Sequence, residues 1–325
     1  MLRLPDAWVW DFWLADTGQE FHLFFLRASR ALHEPDRRHR HASIGHAVSA
    51  DLRSWELLAD ALVPGDEPAF DDLATWTGSL VQAPDGVWHM FYTGVSHADN
   101  GLVQRIGLAT STDLLSWNKE PDFPIVTADQ RWYETGAGVT WREEAWRDPW
   151  VFPDPEGHGW HMLITARAAG GTPDDRGVVG HAASSNLWQW QVGPPLSSPG
   201  AGFGHLEVLQ IERVDGRALL LFSCSRTDLS AARAATGISG GIFAVPCDTV
   251  LGPVDIGRAR RIADDGLYSG RLVRDRAGRW VMLAVQNTDH NGCFPGVITD
   301  PIPAKDLGLC SDDSPAQGPA DPDGR

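Results

Sequence analysis

Apolar residues cluster along the chain in five runs of strand length that resemble one another. Each run is rich in aromatic and β-forming residues and is flanked by turn-forming residues, a pattern typical of strands buried on both faces. The runs begin 67, 72, 57 and 62 residues apart. They are Phe21–Ala28, Trp88–Val95, Trp160–Ala168, Arg217–Ser225 and Arg279–Asn287. The spacing therefore indicates five copies of one structural unit.

A second pattern follows the first three runs. A short strand pattern leads through a Ser, Asp or Asn turn to a tryptophan in Ile44–Trp55, Ile106–Trp117 and Val179–Trp190, and Gly241–Asp248 holds a looser version. Further strand patterns, such as Val208–Val214, lie between these elements. About four strands in each of five units predict an all-β fold, a five-bladed β-propeller of antiparallel blades around a central funnel. A β-sandwich is the alternative.

The predicted propeller spans residues 1–310 as one domain, and we expect no separate β-sandwich domain after it because too few residues follow Asn287. The last segment, residues 311–325, is rich in Pro, Gly and Asp and holds almost no apolar side chains. Such a segment buries too little surface to offset the entropy lost on ordering. It is therefore predicted to be a disordered acidic tail.

The composition argues against some classes of binding partner and against a membrane location. The chain has 325 residues and a formal net charge of −16, which argues against a nucleic-acid partner. No apolar stretch is long enough for a membrane span, and no secretory leader pattern is visible. The four cysteines lack CxxC spacing, so we expect reduced thiols and a cytoplasmic protein. Monomer and homo-oligomer are equal alternatives.

Three acidic residues precede predicted central strands in aromatic, basic or apolar surroundings. Asp11 lies among four aromatic residues, Asp148 lies between Arg147 and Pro149, and Glu207 begins an otherwise apolar strand pattern. They precede the apolar runs by ten, twelve and ten residues respectively. Nearly equal offsets predict that all three carboxylates lie at the same radius and height of the propeller.

A carboxylate in an apolar strand is costly unless it is hydrogen-bonded or paired. Glycoside hydrolysis uses two carboxyl groups whose surroundings separate their pKa values, and tryptophan faces can stack on a sugar ring. The structural alternative for each acid alone is a salt bridge or a turn cap. Convergence of all three favours a carbohydrate site that needs no cofactor.

Histidine and tryptophan also recur at fixed places in the repeats. His22, His89 and His161 each occupy the second position of an apolar run. A metal triad is one interpretation, but repetition at one position favours a structural feature of the blades, so no metal is predicted. Trp55, Trp117 and Trp190 are predicted to pack within blades for the same reason.

The motifs resemble those of the five-bladed fructosidases and fructosyltransferases of glycoside hydrolase families 32 and 68. The similarity runs from about Trp8 to Asn287. The segments that carry it, in order, are Trp8–Trp13, Phe21–Phe25, Trp76–Ser79, Met90–Gly94, Ile106–Trp117, Arg147–Pro149, Glu207 and Asp264–Gly270. Seven or more motifs in order at propeller spacing are far more specific than any one of them.

The resemblance implies a retaining β-fructofuranosidase that acts on sucrose or short fructosides, with some fructosyl transfer. Asp11 would be the nucleophile, Glu207 the acid and base, and Asp148 the residue that binds ring hydroxyls and stabilises the transition state. Further substrate-binding residues implied by it are Trp10, Trp76, Ser79, Arg147, Asp264 and Tyr268.

The chain departs from the family pattern next to two of these residues. Trp10 stands where family 32 has Asn before the nucleophile, and Val208 stands where a Cys commonly follows the acid/base Glu. These changes keep two alternatives open. One is an inverting furanosidase like the arabinan-cleaving propellers, and the other is a sugar-binding propeller without catalysis.

Overall fold

The chain forms five antiparallel sheets arranged as the blades of a β-propeller. The computed structural model describes residues 1–123 and 125–310. The predicted tail, residues 311–325, lies outside the described residues. The prediction of a five-bladed propeller is confirmed, and the β-sandwich alternative is wrong.

Each of blades 1 to 4 is a meander of four consecutive strands. Blade 1 consists of Ala7–Asp16, Phe21–Ser29, Ser43–Ser49 and Glu56–Leu57. Blade 2 consists of Ala74–Gln82, Trp88–Val95, Arg105–Ser111 and Asn118–Lys119. Blade 3 consists of Trp146–Pro153, Trp160–Arg167, Gly177–Ser184 and Gln191–Gly193. Blade 4 consists of Glu207–Val214, Arg217–Cys224, Gly241–Cys247 and Arg260–Ala263.

Blade 5 joins the two ends of the described chain. Its first two strands are Leu267–Arg274 and Trp280–Gln286. The short strand Val297–Ile298 pairs with Trp280–Gln286 and also with Leu2–Arg3 from the start of the chain. Ile302–Pro303 pairs with the same second strand nearer its start, at Val281 and Met282. A two-residue strand carries no periodic pattern, so the sequence did not predict this closure.

Helical segments are short among the described residues. The α-helix is the single turn Ala231–Ala234. The 3-10 segments are Arg30–Leu32, Pro35–Arg40, His97–Asp99, Gly136–Gly138, Pro173–Asp175, Arg226–Asp228, Ile256–Arg258 and Ala304–Leu307. Within residues 1–123 and 125–310, no helix has the length and apolar character that a membrane crossing requires.

The repeated histidines and tryptophans have structural contacts, but two of the tryptophans lie between blades and not within one. Trp117 of blade 2 contacts the Phe24 ring of blade 1, and Trp190 of blade 3 contacts the Phe91 ring of blade 2. In blade 1, His22 Nδ1 lies 3.0 Å from His46 Nε2, and in blade 3 His161 Nδ1 lies 3.0 Å from His181 Nε2. Trp117 packs against the apolar core. His22 and His161 thus pair with a histidine of their own blade. His89 differs, since its Nδ1 lies 3.3 Å from the Val87 carbonyl oxygen and its ring contacts Trp188 of blade 3.

The first strand of every blade lies on the propeller axis, where it packs against the first strands of adjacent blades. Each of these strands contains a β-bulge at the same register. A bulge bends its strand and turns a side chain out of the regular alternation. Five bulges at one level therefore point ten neighbouring residues toward the axis.

The bulges define two rings of residues. The upper ring holds the last paired residue before each bulge, and consists of Trp10, Trp76, Arg147, Glu207 and Tyr268. The lower ring holds the next residue along each strand, and consists of Asp11, Thr77, Asp148, Val208 and Ser269. The upper ring is nearer the loops that enter the first strands.

Most of the lower ring has a backbone conformation that residues other than glycine rarely adopt. The φ angles are 24° at Asp11, 56° at Asp148, 54° at Val208 and 51° at Ser269. Strained backbone of this kind clusters at functional sites, where the surrounding structure holds it in place. The strained backbone therefore points to a functional site in the cavity that the two rings enclose.

Candidate active site

A cavity of about 530 Å³ opens on the axis, within the usual size range for small-molecule sites. All five upper-ring residues line it, together with Asp11, Thr77, Asp148 and Val208 of the lower ring. The rest of the wall comes mainly from loops, among them Arg38–Arg40, Asn100–Leu102 and Arg142–Glu143. The three predicted carboxylates thus share one cavity.

Asp11 is held by hydroxyl groups from the two neighbouring blades. Thr77 Oγ1 of blade 2 donates to Asp11 Oδ2 over 2.7 Å, and Ser269 Oγ of blade 5 donates to Oδ1. Both donors belong to the lower ring. Because the side chain is bonded at both oxygens, its orientation is fixed.

Asp148 is the most enclosed of the three, with a side chain 4% exposed. Its Oδ2 accepts from Thr165 Oγ1 over 2.9 Å and from the Val208 amide over 3.3 Å. The Arg147 Nε lies 3.6 Å from the same oxygen. Its own amide donates to Thr93 Oγ1 over 3.0 Å. Polar groups of blades 3 and 4 therefore fix this carboxyl, and a hydroxyl of blade 2 fixes its main chain.

Glu207 lies nearer the mouth, with a side chain 19% exposed. It accepts from Arg147 at Oε1 and from the Tyr268 hydroxyl at Oε2. Arg147 also donates to Gln104 Oε1 over 3.0 Å. The surroundings of Glu207 are therefore polar, in contrast to the apolar strand start that the sequence shows.

The expected equal height of the three carboxylates is wrong in one respect. Asp11 and Asp148 occupy equivalent positions in the lower ring, whereas Glu207 belongs to the upper ring. The backbone positions of Glu207 and Arg147 are equivalent, since each pairs with its second strand just before the bulge. Counting from the apolar runs missed this difference of one residue because the bulges and hairpins differ in length.

Burial dominates the electrostatics of the lower ring. It raises the pKa of Asp11, against hydrogen bonds from Ser269 and Thr77 that lower it, while Glu207 raises it further. Burial likewise raises the pKa of Asp148 to about 7, with Arg147 opposing the change. Perturbed carboxyl groups gathered in a cleft are typical of functional sites.

Arg147 connects the two rings electrostatically. Burial disfavours its charge, but the carboxylates of Glu207, Asp148 and Glu143 outweigh that effect and raise its pKa. Its Nη2 lies 3.1 Å from Nδ1 of the buried His205, whose pKa is well below its usual value because of burial and the adjacent arginines. Arg147 is therefore cationic and His205 neutral around neutral pH.

Two predicted pocket residues lie elsewhere. Ser79 is buried two residues beyond the bulge residue Thr77, and its hydroxyl accepts from the Val151 amide over 2.9 Å, so it connects blades 2 and 3. Asp264 lies in the turn before blade 5, where its Oδ1 accepts from the Gly266 amide over 3.0 Å. Neither residue lines the cavity, whereas Trp10, Trp76 and Tyr268 do.

Sequence reasoning missed several residues of the site. Thr77 and Ser269 lie inside the motifs Trp76–Ser79 and Asp264–Gly270, but neither of their strands carries an acidic residue that would have marked the bulge position. Arg38 comes from the 3-10 segment between two blade 1 strands. Its guanidinium lies 4.0 Å from the Phe294 ring centroid and 5.5 Å from that of Trp10. Loop residues of this kind give no repeat signal.

No metal is needed to explain the arrangement. Among the described residues, no group of three or more His, Cys, Asp or Glu side chains is arranged to hold a metal ion. The carboxyl groups instead contact hydroxyl and guanidinium donors. Two fixed lower-ring carboxyls and a more accessible upper-ring carboxyl could bind a polyhydroxylated ring and exchange protons with it.

The chain is thus a five-bladed propeller with a carboxylate-lined axial cavity suited to a sugar ring. The family model described as the glycosyl hydrolases family 32 N-terminal domain matches residues 13–292. The chain belongs to this family. The matched segment contains Asp148 and Glu207 and begins two residues after Asp11.

Curated relatives are similar over parts of the chain. An extracellular sucrase of Zymomonas mobilis is 29% identical over 183 residues, which cover 50% of this chain and 42% of that protein. A fructan 1-exohydrolase of Hordeum vulgare is 35% identical over 126 residues, covering 37% and 19%. The insoluble β-fructofuranosidase isoenzyme CWINV2 of Arabidopsis thaliana is 30% identical, covering 45% and 22%. The matches thus span less than half of these relatives.

Solved structures share the fold. Bacillus subtilis levansucrase gives a TM-score of 0.68 at 16% identity, covering 92% of this chain and 83% of that one. Fructan 1-exohydrolase IIa from Cichorium intybus gives a TM-score of 0.65 at 20% identity, covering 91% and 55%. Similarity at this level of identity establishes the common propeller, and function has to be argued from the site.

The raised pKa of Asp148 predicts a pH-dependent cost to stability. The native state holds this proton more tightly than an unfolded chain, in which the pKa is 3.8. The contribution of protonated Asp148 to the free energy of unfolding is therefore complete below about pH 4 and is lost as the pH rises through about 7. Asp148→Asn remains uncharged, so we expect it to gain at least about 1 kcal/mol relative to wild type between pH 5 and pH 8.

Urea unfolding of both proteins at the two pH values measures this effect. The exposed residue Asp66 supplies the control Asp66→Asn, which we expect to follow the wild-type pH dependence. Parallel pH dependences of wild type and Asp148→Asn would show that burial does not perturb Asp148.

Proposed function

We propose that this protein cleaves terminal β-fructofuranosyl units from sucrose or short fructosides, with transfer to sugar hydroxyls as a side reaction. The observation that carries the proposal is the convergence of Asp11, Asp148 and Glu207 on one axial cavity. Membership of glycosyl hydrolase family 32 supports it. The names of relatives, among them a sucrase and a fructan exohydrolase, point to the same substrate class.

In this proposal, Asp11 is the nucleophile. One of its oxygens forms a bond to the anomeric carbon while the bond from that carbon to the leaving oxygen breaks. The hydrogen bonds from Thr77 and Ser269 hold the carboxyl in one orientation during the attack. In the second step, water or a sugar hydroxyl displaces Asp11 from the same carbon.

Glu207 transfers the proton in both steps. It gives its proton to the leaving oxygen in the first step and takes one from the incoming water or hydroxyl in the second. Its position in the upper ring suits this role, because the leaving group must depart toward the mouth. Tyr268 and Arg147 orient its two oxygens.

Asp148 binds ring hydroxyls and stabilises positive charge that develops on the sugar. A pKa of about 7 means that it is only partly ionised in the free protein at neutral pH. Hydroxyl donors of the sugar, together with Arg147, favour the ionised form. The proposed activity should therefore be higher at neutral pH than in acid, since both Asp11 and Asp148 act as carboxylates.

The alternatives make different demands on the same residues. An inverting furanosidase would use one carboxylate to activate water and would form no covalent intermediate. A binding propeller would need none of the proton transfers. The fixed and strained position of Asp11 favours a reacting group over a binding propeller, and membership of glycosyl hydrolase family 32 favours fructoside cleavage over the arabinan-cleaving alternative. The cytoplasmic location expected from the sequence stays a prediction.

The first test replaces the proposed nucleophile. We expect Asp11→Asn to lower kcat/KM on sucrose by at least about 10³-fold, because the amide retains the shape but cannot attack carbon. Asp264→Asn is the matched control, since Asp264 lies outside the cavity, and its activity should remain. Equal activity of Asp11→Asn and wild type would contradict the role.

Assays with a panel of substrates identify the sugar that the protein cleaves. The panel consists of sucrose, inulin-type and levan-type oligosaccharides, and aryl arabinofuranosides. We expect release of fructose from at least one of the first three. If the wild type binds these sugars but cleaves none of the panel, the protein is a binding propeller.

The second test concerns stereochemistry. With methanol as acceptor, double displacement predicts methyl β-fructofuranoside, because two inversions at the anomeric carbon restore its configuration. Proton and carbon NMR of the early product distinguishes the two anomers. Formation of the α-anomer, or hydrolysis with inversion and no transfer, would favour the single-displacement alternative.

A further inference from the structure

Arg271 lies directly beneath the two rings, and none of the sequence motifs identified it. It follows Tyr268 and Ser269 in the first strand of blade 5 and is the next residue to pair after the bulge. The residue is 1% exposed. A guanidinium group buried this deeply requires partners that compensate for lost hydration.

Its first partners are main-chain carbonyls at two other bulges. Nε donates to the carbonyl of Phe12 over 3.2 Å. Nη1 donates to the carbonyls of Val208, over 3.3 Å, and of Leu209. Phe12 is the residue after Asp11, and Val208 is the residue after Glu207.

Arg271 contacts the third bulge through an aromatic ring. The Arg271 guanidinium lies 4.8 Å from the ring centroid of Trp150, which follows Asp148 by two residues. This geometry fits a cation–π interaction. One side chain from blade 5 therefore contacts the segment immediately after each of the three carboxylates.

The charge of Arg271 is not neutralised by a close ion pair among residues 1–123 and 125–310. Its Nη2 is buried without a hydrogen-bond partner. Asp148, Asp11 and Glu212 act on it electrostatically, and burial lowers its pKa to about 10, so it remains cationic at neutral pH. A buried donor without a partner is costly, which points to a use for the charge.

We propose that Arg271 is a positioning residue, which holds the three bulges in register and supplies positive charge that favours the ionised forms of Asp11 and Asp148. This role rests on the proposed function of those carboxylates. Other groups also face these two carboxylates. Glu207 and the hydroxyls of Thr77 and Ser269 face Asp11, and Arg38 interacts with it from the loop. Arg147 and Thr165 face Asp148. Arg271 is the cation that approaches both carboxylates from below.

The alternative is that Arg271 only stabilises the fold. In that case a substitution would lower the amount of folded enzyme, or its kcat at every pH, without moving the pH dependence. An electrostatic role predicts a shift with a definite sign. Removing the cation raises the pKa of Asp11 and Asp148 further, so the acid limb of kcat/KM moves to higher pH.

Arg271→Met and Arg271→Lys separate the two roles. We expect Arg271→Met to move the acid limb up by about one pH unit, so that its loss of kcat/KM is about tenfold greater below the limb than above it. Arg271→Lys retains the charge and should return the limb to within a few tenths of a unit. Its kcat should stay below wild type, since lysine cannot reach all three carbonyls.

Arg274→Met is the matched control, because Arg274 lies in the same strand but bonds to the Gly278 carbonyl and stacks on Trp280. Its pH profile should match wild type. Thermal unfolding of each variant identifies any that fail to fold. Equal acid limbs in wild type, Arg271→Lys and a folded Arg271→Met would overturn the proposal.

A readout without activity keeps the inference separate from the function. The carboxyl carbon shifts of Asp11 and Asp148 in ¹³C-labelled protein can be titrated in wild type and Arg271→Lys, and in Arg271→Met if it folds. We expect higher titration midpoints only in Arg271→Met. If the wild type cleaves no furanoside, the proposed function fails, while unchanged midpoints across all three proteins refute the role of Arg271.

Discussion

Two carboxyl groups enclosed at the axis of the propeller impose the constraint on which the site depends. Asp11 and Asp148 lie at strained bulge positions, and burial raises the pKa of both. Isolated buried charges of this kind would destabilise the fold. Several polar groups around them offset this cost: the hydroxyl donors at Thr77, Ser269 and Thr165, and the guanidinium groups of Arg147 and Arg271.

The five-fold repeat turns this constraint into a site. Bulges at one level place one residue from each blade in the upper ring and one in the lower ring. The lower ring contributes fixed acids and their donors, and the upper ring contributes aromatic faces, Arg147 and the more accessible Glu207. The two rings thus separate the group proposed to attack the sugar from the group proposed to transfer protons, over the distance of one residue along a strand.

Much of the fold could be predicted because repetition is visible in the sequence. The apolar runs that begin at Phe21 and Trp88 became buried second strands, and the three acids met at the axis. The details could not be predicted, since a bulge inserts a residue without changing composition. Ser79 was expected in the pocket, yet Thr77 two residues earlier occupies the bulge. The contacts of Arg271 depend on tertiary packing alone, so the sequence pattern could not predict its role.

A crystal structure of Asp11→Asn with sucrose would show whether the three acids share one sugar site. We expect one furanosyl ring between the two rings of residues, its anomeric carbon facing the side chain at position 11 and its glycosidic oxygen within hydrogen-bonding distance of Glu207. Hydroxyl groups of that ring should contact Asp148. A sugar bound at the rim or on another face, with the three acids out of its reach, would contradict the account.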